Sequence, residues 1–364
     1  MINYANKIRS YRLLDNEMEK NITCWAPFQA IHINKRGNVR PTPFSDPIGK
    51  WSPDNKILDI WNSTIFEDIR DLHALGKMPH TCAYCIKSID KGKPPSSLDY
   101  DNVGGEKSFS HSTPKEIELE LSNTCNYMCP ACGPSFSTQH VERLGLQNDI
   151  RFKNLQAFDN PEYIDAFVED LRGIIHDVHR INFTGGEPFA QVPVYKILKM
   201  INEEDAKLIV HFTTNGSVMN GSVRKLAKRP NTHFTVSLDS IDPDVYPIVR
   251  VNGILENVLA NIEILRENST NLGCSFVVTK HNVRDLPNIV SWCNNKNIMF
   301  SYHILINMEG GPIGHLKPIC VEEETKEYLK EMREYLLSAK VDMPDTEISK
   351  KNLQMMYQYV ERLK

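Results

Sequence analysis

Six of the nine cysteines in this 364-residue chain fall into groups whose spacing suits metal chemistry. Cys125, Cys129 and Cys132 form a C-x3-C-x2-C within SNTCNYMCPACGPS, Cys82 and Cys85 form a C-x2-C, and Cys24 precedes them. An odd thiol count in a chain of this length argues against a disulfide framework and for metal binding or structural thiols. Thiolates so spaced converge on a soft metal centre. A zinc knuckle is the simpler reading of the triplet, but zinc usually takes four ligands in paired C-x2-C units, and no fourth thiol lies nearby. Three thiolates on one short loop suit a cubane iron–sulfur cluster, with one iron left without a protein ligand.

Such a loop must be held by a scaffold, and from residue 114 onward the pattern supplies one. Strand-like runs (EIELELS, INFTGG, LIVHFTTNG, HFTVSLDS, CSFVVTK and IMFSYHILI) alternate with helical segments near 161–178, 193–203, 221–228, 254–267 and 285–296. Six βα repeats predict a parallel sheet covered by helices, as a partial barrel or a doubly wound sheet. In such folds the loops after the strands carry the chemistry. The cysteine triplet follows the first run, Thr184-Gly-Gly-Glu-Pro188 the second and Thr214-Asn215-Gly216 the third, while Ser237-Leu-Asp239 ends the fourth.

The chain divides into an N-terminal extension (1–20), a cysteine-bearing region (21–90), a Gly/Pro/Ser/Asp-rich linker (91–113), the βα region (114–310) and a C-terminal helical segment (311–364) with amphipathic stretches at 322–340 and 347–363. Within 21–90 the spacing predicts β-like pieces with a turn at Gly37-Asn38, and one helix over ILDIWNSTIFEDIRDLHALG, carried by Ile57, Ile60, Trp61, Phe66, Ile69 and Leu72. Lys and Arg total 42 against 46 Asp and Glu, so no nucleic-acid or membrane partner is expected. The first twenty residues carry charges throughout and no long apolar run occurs anywhere, so we expect neither a signal peptide nor a membrane span, and a cytoplasmic location.

The residues after strands one and two resemble the radical S-adenosylmethionine (SAM) superfamily: C-N-Y-M-C-P-A-C, then G-G-E-P at 185–188, with T-N-G at 214–216, S-L-D at 237–239 and Arg250 beyond. The resemblance covers about residues 114–310. It implies a partial (β/α)6 TIM-like barrel in which Cys125, Cys129 and Cys132 hold a [4Fe–4S] cluster and SAM chelates the open iron. It further implies that Gly185 and Gly186 admit the methionyl ammonium, Glu187 supports its charge, Ser237 bonds a polar group of SAM and Arg250 clamps the carboxylate. Asn215 is placed for a ribose hydroxyl, and Asp239 either joins it or caps the helix beginning near Asp242. Ala131 stands where relatives commonly carry an aromatic beside the adenine. The chemistry implied is a 5′-deoxyadenosyl radical that abstracts hydrogen from a substrate C–H bond. The substrate is a small molecule, sugar or peptide, and the electron comes from a donor such as flavodoxin or ferredoxin.

Cys24, Cys82 and Cys85 resemble the twitch domain, the shortened SPASM form, here placed before the barrel, with Thr42 where a fourth cysteine is expected. A zinc site, a structural cluster and a redox-active or substrate-facing auxiliary [4Fe–4S] cluster all stay open, with Thr42 and Asp46 as candidate oxygen ligands. An auxiliary cluster would accept electrons in an oxidation, whereas an epimerisation needs a hydrogen donor such as a thiol; separately, Cys320 follows the last strand region and could approach the active site. Oxidation or another redox-coupled modification is the leading expectation. An iron–sulfur carrier or sensor, or an N-terminal zinc module that recruits a partner, is the alternative. Cys274 and Cys293 read as core positions, and Tyr302 and His303, which end a strand, read as core positions with a substrate contact as the alternative.

Overall fold

The computed structural model describes residues 24–90, 112–153, 155–269, 271–305, 319–321 and 324–363. The predicted 91–113 linker and the 1–20 extension lie almost wholly outside them. The fold class is α/β with a partly open parallel sheet, as expected. The chain forms two compact units, the first of residues 1–122, 154–185 and 191–210, the second of 123–153, 186–190 and 211–364.

In the first unit the strand order is β3-β2-β1-β4-β5, where β1 is Ala30–Asn34, β2 Asn38–Arg40, β3 Gly49–Lys50, β4 Glu116–Glu120 and β5 Arg180–Phe183. The β1–β2 turn is at Gly37, whose φ of 77° suits a residue without Cβ. β1 pairs in parallel with β4, Ile31 opposite Ile117 and Ile33 opposite Leu119, so residues assigned to 21–90 continue the sheet of the βα region. The period of two sorts the side chains. Ile31, Ile33, Ile117, Leu119, Ile181 and Phe183 share one buried face, and His32, Glu116, Glu118, Glu120 and Asn182 share the other.

The single helix predicted over 57–76 is two helices, Ile57–Trp61 and Thr64–Ala74. Ser63 takes extended backbone and its side chain accepts the Phe66 amide at 3.4 Å, an N-cap that restarts the helix and shifts its phase. The buried stripe becomes Phe66, Ile69 and His73, and Leu72 turns partly outward.

Trp51, fully buried, fastens this region to the helix Pro161–Arg172. Its ring lies edge-on to Tyr163 and Phe167, both at 4.9 Å, and its indole N–H donates to Asp170 Oδ2 at 2.7 Å. The same oxygen accepts the Ile57 amide at 2.8 Å.

In the second unit β6 (Ile209–Thr214, from His211 on), β7 (Thr232–Ser237), β8 (Asn271–Val278) and β9 (Met299–Ile304) follow in order. β7, β8 and β9 pair in parallel. Helices Gly221–Ala227, Leu255–Asn268 and Leu286–Lys296 fall close to the predicted spans. The helix Glu347–Glu361 docks through Asn352, which accepts the Phe300 amide at 2.8 Å and donates to Asn294 Oδ1 and the Ile298 carbonyl. Among the described residues no helix is long and apolar enough to cross a membrane.

Because Asp170 Oδ2 serves two donors from the 51–57 segment, Asp170→Ala leaves both without their acceptor and should lower stability by roughly 1–3 kcal/mol. Urea unfolding should show a lower midpoint at unchanged slope, while Asp165→Ala, on the exposed side of the same helix, stays within about 0.5 kcal/mol of the parent.

Candidate active site

The second unit gathers the loops that the sequence singled out. Glu187 is buried, and its carboxylate accepts three donors: the Phe189 amide (3.1 Å) and Thr214 hydroxyl (2.8 Å) on Oε1, and the Asn215 amide (2.7 Å) on Oε2. It thus ties the GGEP loop to the TNG loop. Burial raises its pKa while the three donors favour the carboxylate. Asn215 continues the tie into the cysteine loop, donating to Asn126 Oδ1 at 2.9 Å, with Cys125 Sγ 4.0 Å from the same nitrogen. Its own Oδ1 accepts the Ser217 amide and hydroxyl. Glu187 and Asn215, expected to contact SAM, therefore hold protein groups with most of their capacity.

The glycines likewise pack against protein. A Cβ on Gly186 would stand 2.7 Å from the Thr124 carbonyl carbon. Gly185, at φ 98°, would place one 2.9 Å from Glu120 Cγ. Their bare backbone is what lets the GGEP loop lie on the chain leading into the cysteines.

Arg250 and Asp239 form a buried ion pair, Nη2 to Oδ2 at 2.7 Å. Asp239 takes a positive φ of 57° and its other oxygen accepts the Val277 amide at 2.7 Å. It does not cap the following helical turn: Asp242 does so itself, accepting the Asp244 and Val245 amides. Arg250 Nη1 lies 3.7 Å from Cys129 Sγ, and its Nε is buried with no hydrogen-bond partner among the described residues. Burial alone would lower the Arg250 pKa, but Asp239 and Cys129 outweigh it and hold the guanidinium above its ordinary range. The sequence reading missed this pairing.

The cysteine loop is cross-braced. The Tyr127 amide donates to Cys125 Sγ at 3.4 Å, the Cys132 amide to the Cys129 carbonyl at 2.9 Å, and Ser137 Oγ to the Tyr127 carbonyl at 2.6 Å. A hydrogen bond from Cys132, helped by Arg250, lowers the Cys129 pKa, while burial pushes Cys125 up to about 11. Three thiols on one braced loop, one of them biased toward thiolate by Cys132 and Arg250, suit a cationic cluster. Ser237, ending β7, has Ser275 Oγ at 3.3 Å, and Ala131 is partly exposed on the loop.

The first unit holds two further groupings. A cavity is lined by Cys24, Thr42, Ser45, His73, Cys82 and Cys85 among others. Burial, with Cys24 and Cys85 adding to it, pushes the Cys82 thiol up to about 12, so thiolates here need a cation to form. His73 Nε2 lies 3.6 Å from Cys82 Sγ. Thr42 lines the cavity, but its hydroxyl oxygen accepts the Phe44 amide at 3.2 Å. Asp46, whose amide donates to the Thr81 carbonyl, is not among the lining residues. Among the described residues no three Cys, His, Asp or Glu side chains meet closely enough for a single metal ion.

The second grouping is the polar face of β1, β4 and β5, where Lys35 and His32 pair with Glu120, and Asn182 donates to Glu116. Burial, with Arg36 and Arg40 adding to it, holds the Lys35 pKa down, to about 7. The sequence reading took EIELELS as a strand without noticing that its glutamates turn inward.

Cys320 is buried, its Sγ 3.7 Å from the Leu305 carbonyl oxygen. Cys274 and Cys293 are buried, as expected, and Tyr302 packs edge-on to Tyr359 at 5.4 Å. His303 is exposed.

Residues 119–293 match the Radical SAM superfamily. A protein named "Probable GTP 3',8-cyclase" from Methanocaldococcus jannaschii is 26% identical over 215 residues, covering 58% of this chain and 66% of that protein. A GTP 3',8-cyclase from Marinobacter nauticus is 22% identical over 249 residues, 64% of this chain and 69% of that one. The alignment thus spans about two thirds of the length of these relatives. Among solved structures, Streptococcus suis SuiB bound to S-adenosylmethionine superposes at TM-score 0.44 and 17% identity, over 79% of this chain and 62% of that one.

The Arg250–Asp239 pair yields a stability test. Asp239→Ala leaves a buried guanidinium without its carboxylate and should cost about 3–5 kcal/mol in urea unfolding, most of it recovered by adding Arg250→Met. A single variant as stable as the parent would show that Arg250 finds its compensation elsewhere.

Proposed function

We propose that this chain is a radical SAM enzyme, a reading supported by the match of residues 119–293 to that superfamily, that Cys125, Cys129 and Cys132 hold a [4Fe–4S] cluster to which SAM binds, and that the enzyme abstracts hydrogen from a C–H bond of a small molecule, sugar or peptide. The observation that carries this reading is the buried Arg250 beside Cys129 on a loop whose three cysteines are cross-braced by backbone and side-chain hydrogen bonds.

When bound, the cluster and SAM supply an electron and a 5′-deoxyadenosyl radical. The chain's own residues do the rest. Arg250, fixed by Asp239, places positive charge beside Cys129, and its unpartnered Nε is the group left to meet the SAM carboxylate. Glu187 and Asn215 hold the GGEP, TNG and cysteine loops in register, and so act on SAM chiefly by positioning the backbone around it. Gly185 and Gly186 permit that packing, Ser237 is assigned to a polar group of SAM, and Ala131 meets the adenine edge through its backbone.

A flavodoxin or ferredoxin serves as electron donor, and Cys24, Cys82 and Cys85 hold an auxiliary cluster in the 21–90 region. The fate of the substrate radical has two readings. Electron loss to the auxiliary cluster makes the reaction an oxidation. The relatives' names describe ring closure on GTP, which favours an intramolecular addition as the second reading.

Anaerobically reconstituted protein with dithionite should convert SAM to methionine and 5′-deoxyadenosine, measured by liquid chromatography. Cys129→Ala should abolish that conversion, and persistence of it with the iron content intact would refute the assignment. Arg250→Ala, measured against a folded control, should weaken SAM binding by about 2–3 kcal/mol, with Arg250→Lys a poor rescue because a single ammonium cannot face Asp239, Cys129 and the carboxylate in the guanidinium's fixed directions.

A further inference from the structure

The auxiliary cluster proposed for Cys24, Cys82 and Cys85 has three thiolates, and the fourth position of the sequence pattern is Thr42. We propose that His73 is its fourth protein ligand. This inference rests on the auxiliary-cluster reading and goes beyond it, because it decides whether that cluster keeps an open iron.

His73 lines the same cavity as the three cysteines, and its Nε2 approaches Cys82 Sγ to 3.6 Å. The side chain is 1% exposed, and its Nδ1 is buried with no hydrogen-bond partner among the described residues. Of the two nitrogens it is Nε2 that faces the thiols and is placed to reach iron, while Nδ1 points away from Cys82 and takes no part in the assignment. The place of His73 on the helix has no apolar rationale. It follows Phe66 and Ile69 on the inward stripe, where a leucine would fill the space at no polar cost.

The competing oxygen donors are less suited. Thr42 Oγ1 is engaged by the Phe44 amide within its own turn, and Asp46 is not among the residues lining the cavity. A neutral imidazole is an established ligand for iron in clusters otherwise held by thiolate, and it leaves the centre with less negative charge than a fourth cysteine would. A cluster with all four irons held by protein has no coordination position for substrate. It would then exchange electrons at a distance.

The test uses the full chain carrying Cys125→Ala, Cys129→Ala and Cys132→Ala, reconstituted anaerobically with iron and sulfide and reduced with dithionite. Electron spin-echo envelope modulation should detect a directly bound nitrogen, and growth on 15N-histidine should change its pattern. Adding His73→Cys, which keeps a ligand at the position, should retain about four irons, remove the nitrogen coupling and shift the reduction potential downward. Four irons with no histidine coupling, or a coupling that survives His73→Cys, overturns the role of His73 alone. A triple variant that carries no iron, or zinc in its place, overturns the auxiliary cluster and this inference together. No outcome depends on turnover.

Discussion

The second unit is organised around one carboxylate. Glu187 is buried and its donors come from two loops: Phe189 from its own, and Thr214 and Asn215 from the loop after β6. A buried carboxylate is stable only when its oxygens are filled, so the two loops cannot separate without exposing an unsatisfied charge. Asn215 then carries the constraint to Asn126 in the cysteine loop. Three segments far apart in sequence are locked by a short series of hydrogen bonds, and thiols on so short a loop are useful only if that loop is rigid.

Arg250 is the complementary constraint. Alone in this environment its charge would be expensive, and Asp239 offsets that cost while leaving Nη1 beside Cys129 and Nε without a partner. Asp239 can do this because its left-handed backbone turns the side chain toward the end of β8, where it also accepts the Val277 amide. The pair fixes the direction of the guanidinium before any ligand arrives, so that ordering it costs little on binding. It also explains why S-L-D and a distant arginine belong to one site although no spacing rule joins them.

What was legible in the sequence is what depends on local periodicity and local spacing. The strands after residue 114, the helices between them and the two cysteine groups all follow from periods of two and 3.6 and from the glycines that punctuate them. What escaped depends on partners far along the chain. Nothing local distinguishes a solvent-facing glutamate from the buried Glu116 or the half-buried Glu118 and Glu120, which β1 covers by pairing onto β4. The apolar run across Asn62-Ser63 reads as one continuous helix, and that phase puts Leu72 on the stripe that His73 occupies once Ser63 caps a new helix. The hydrogen bonds that Glu187 and Asn215 make within the protein were hidden for a related reason: motif matching names the residue but not the groups that it holds.

The N-terminal region shows how far a packing constraint can reach into chemistry. Trp51, Asp170 and Tyr163 fasten residues 51–57 to the helix Pro161–Arg172, and Ser63 restarts the helix that follows, which sets the face on which His73 emerges. That face, and not the motif position of Thr42, decides which donor stands beside Cys82. A centre closed by histidine favours electron transfer over substrate coordination, and so an oxidation with the substrate held elsewhere. A centre left open would allow the substrate to bind iron directly. The difference between these two chemistries comes down to the register of one short helix.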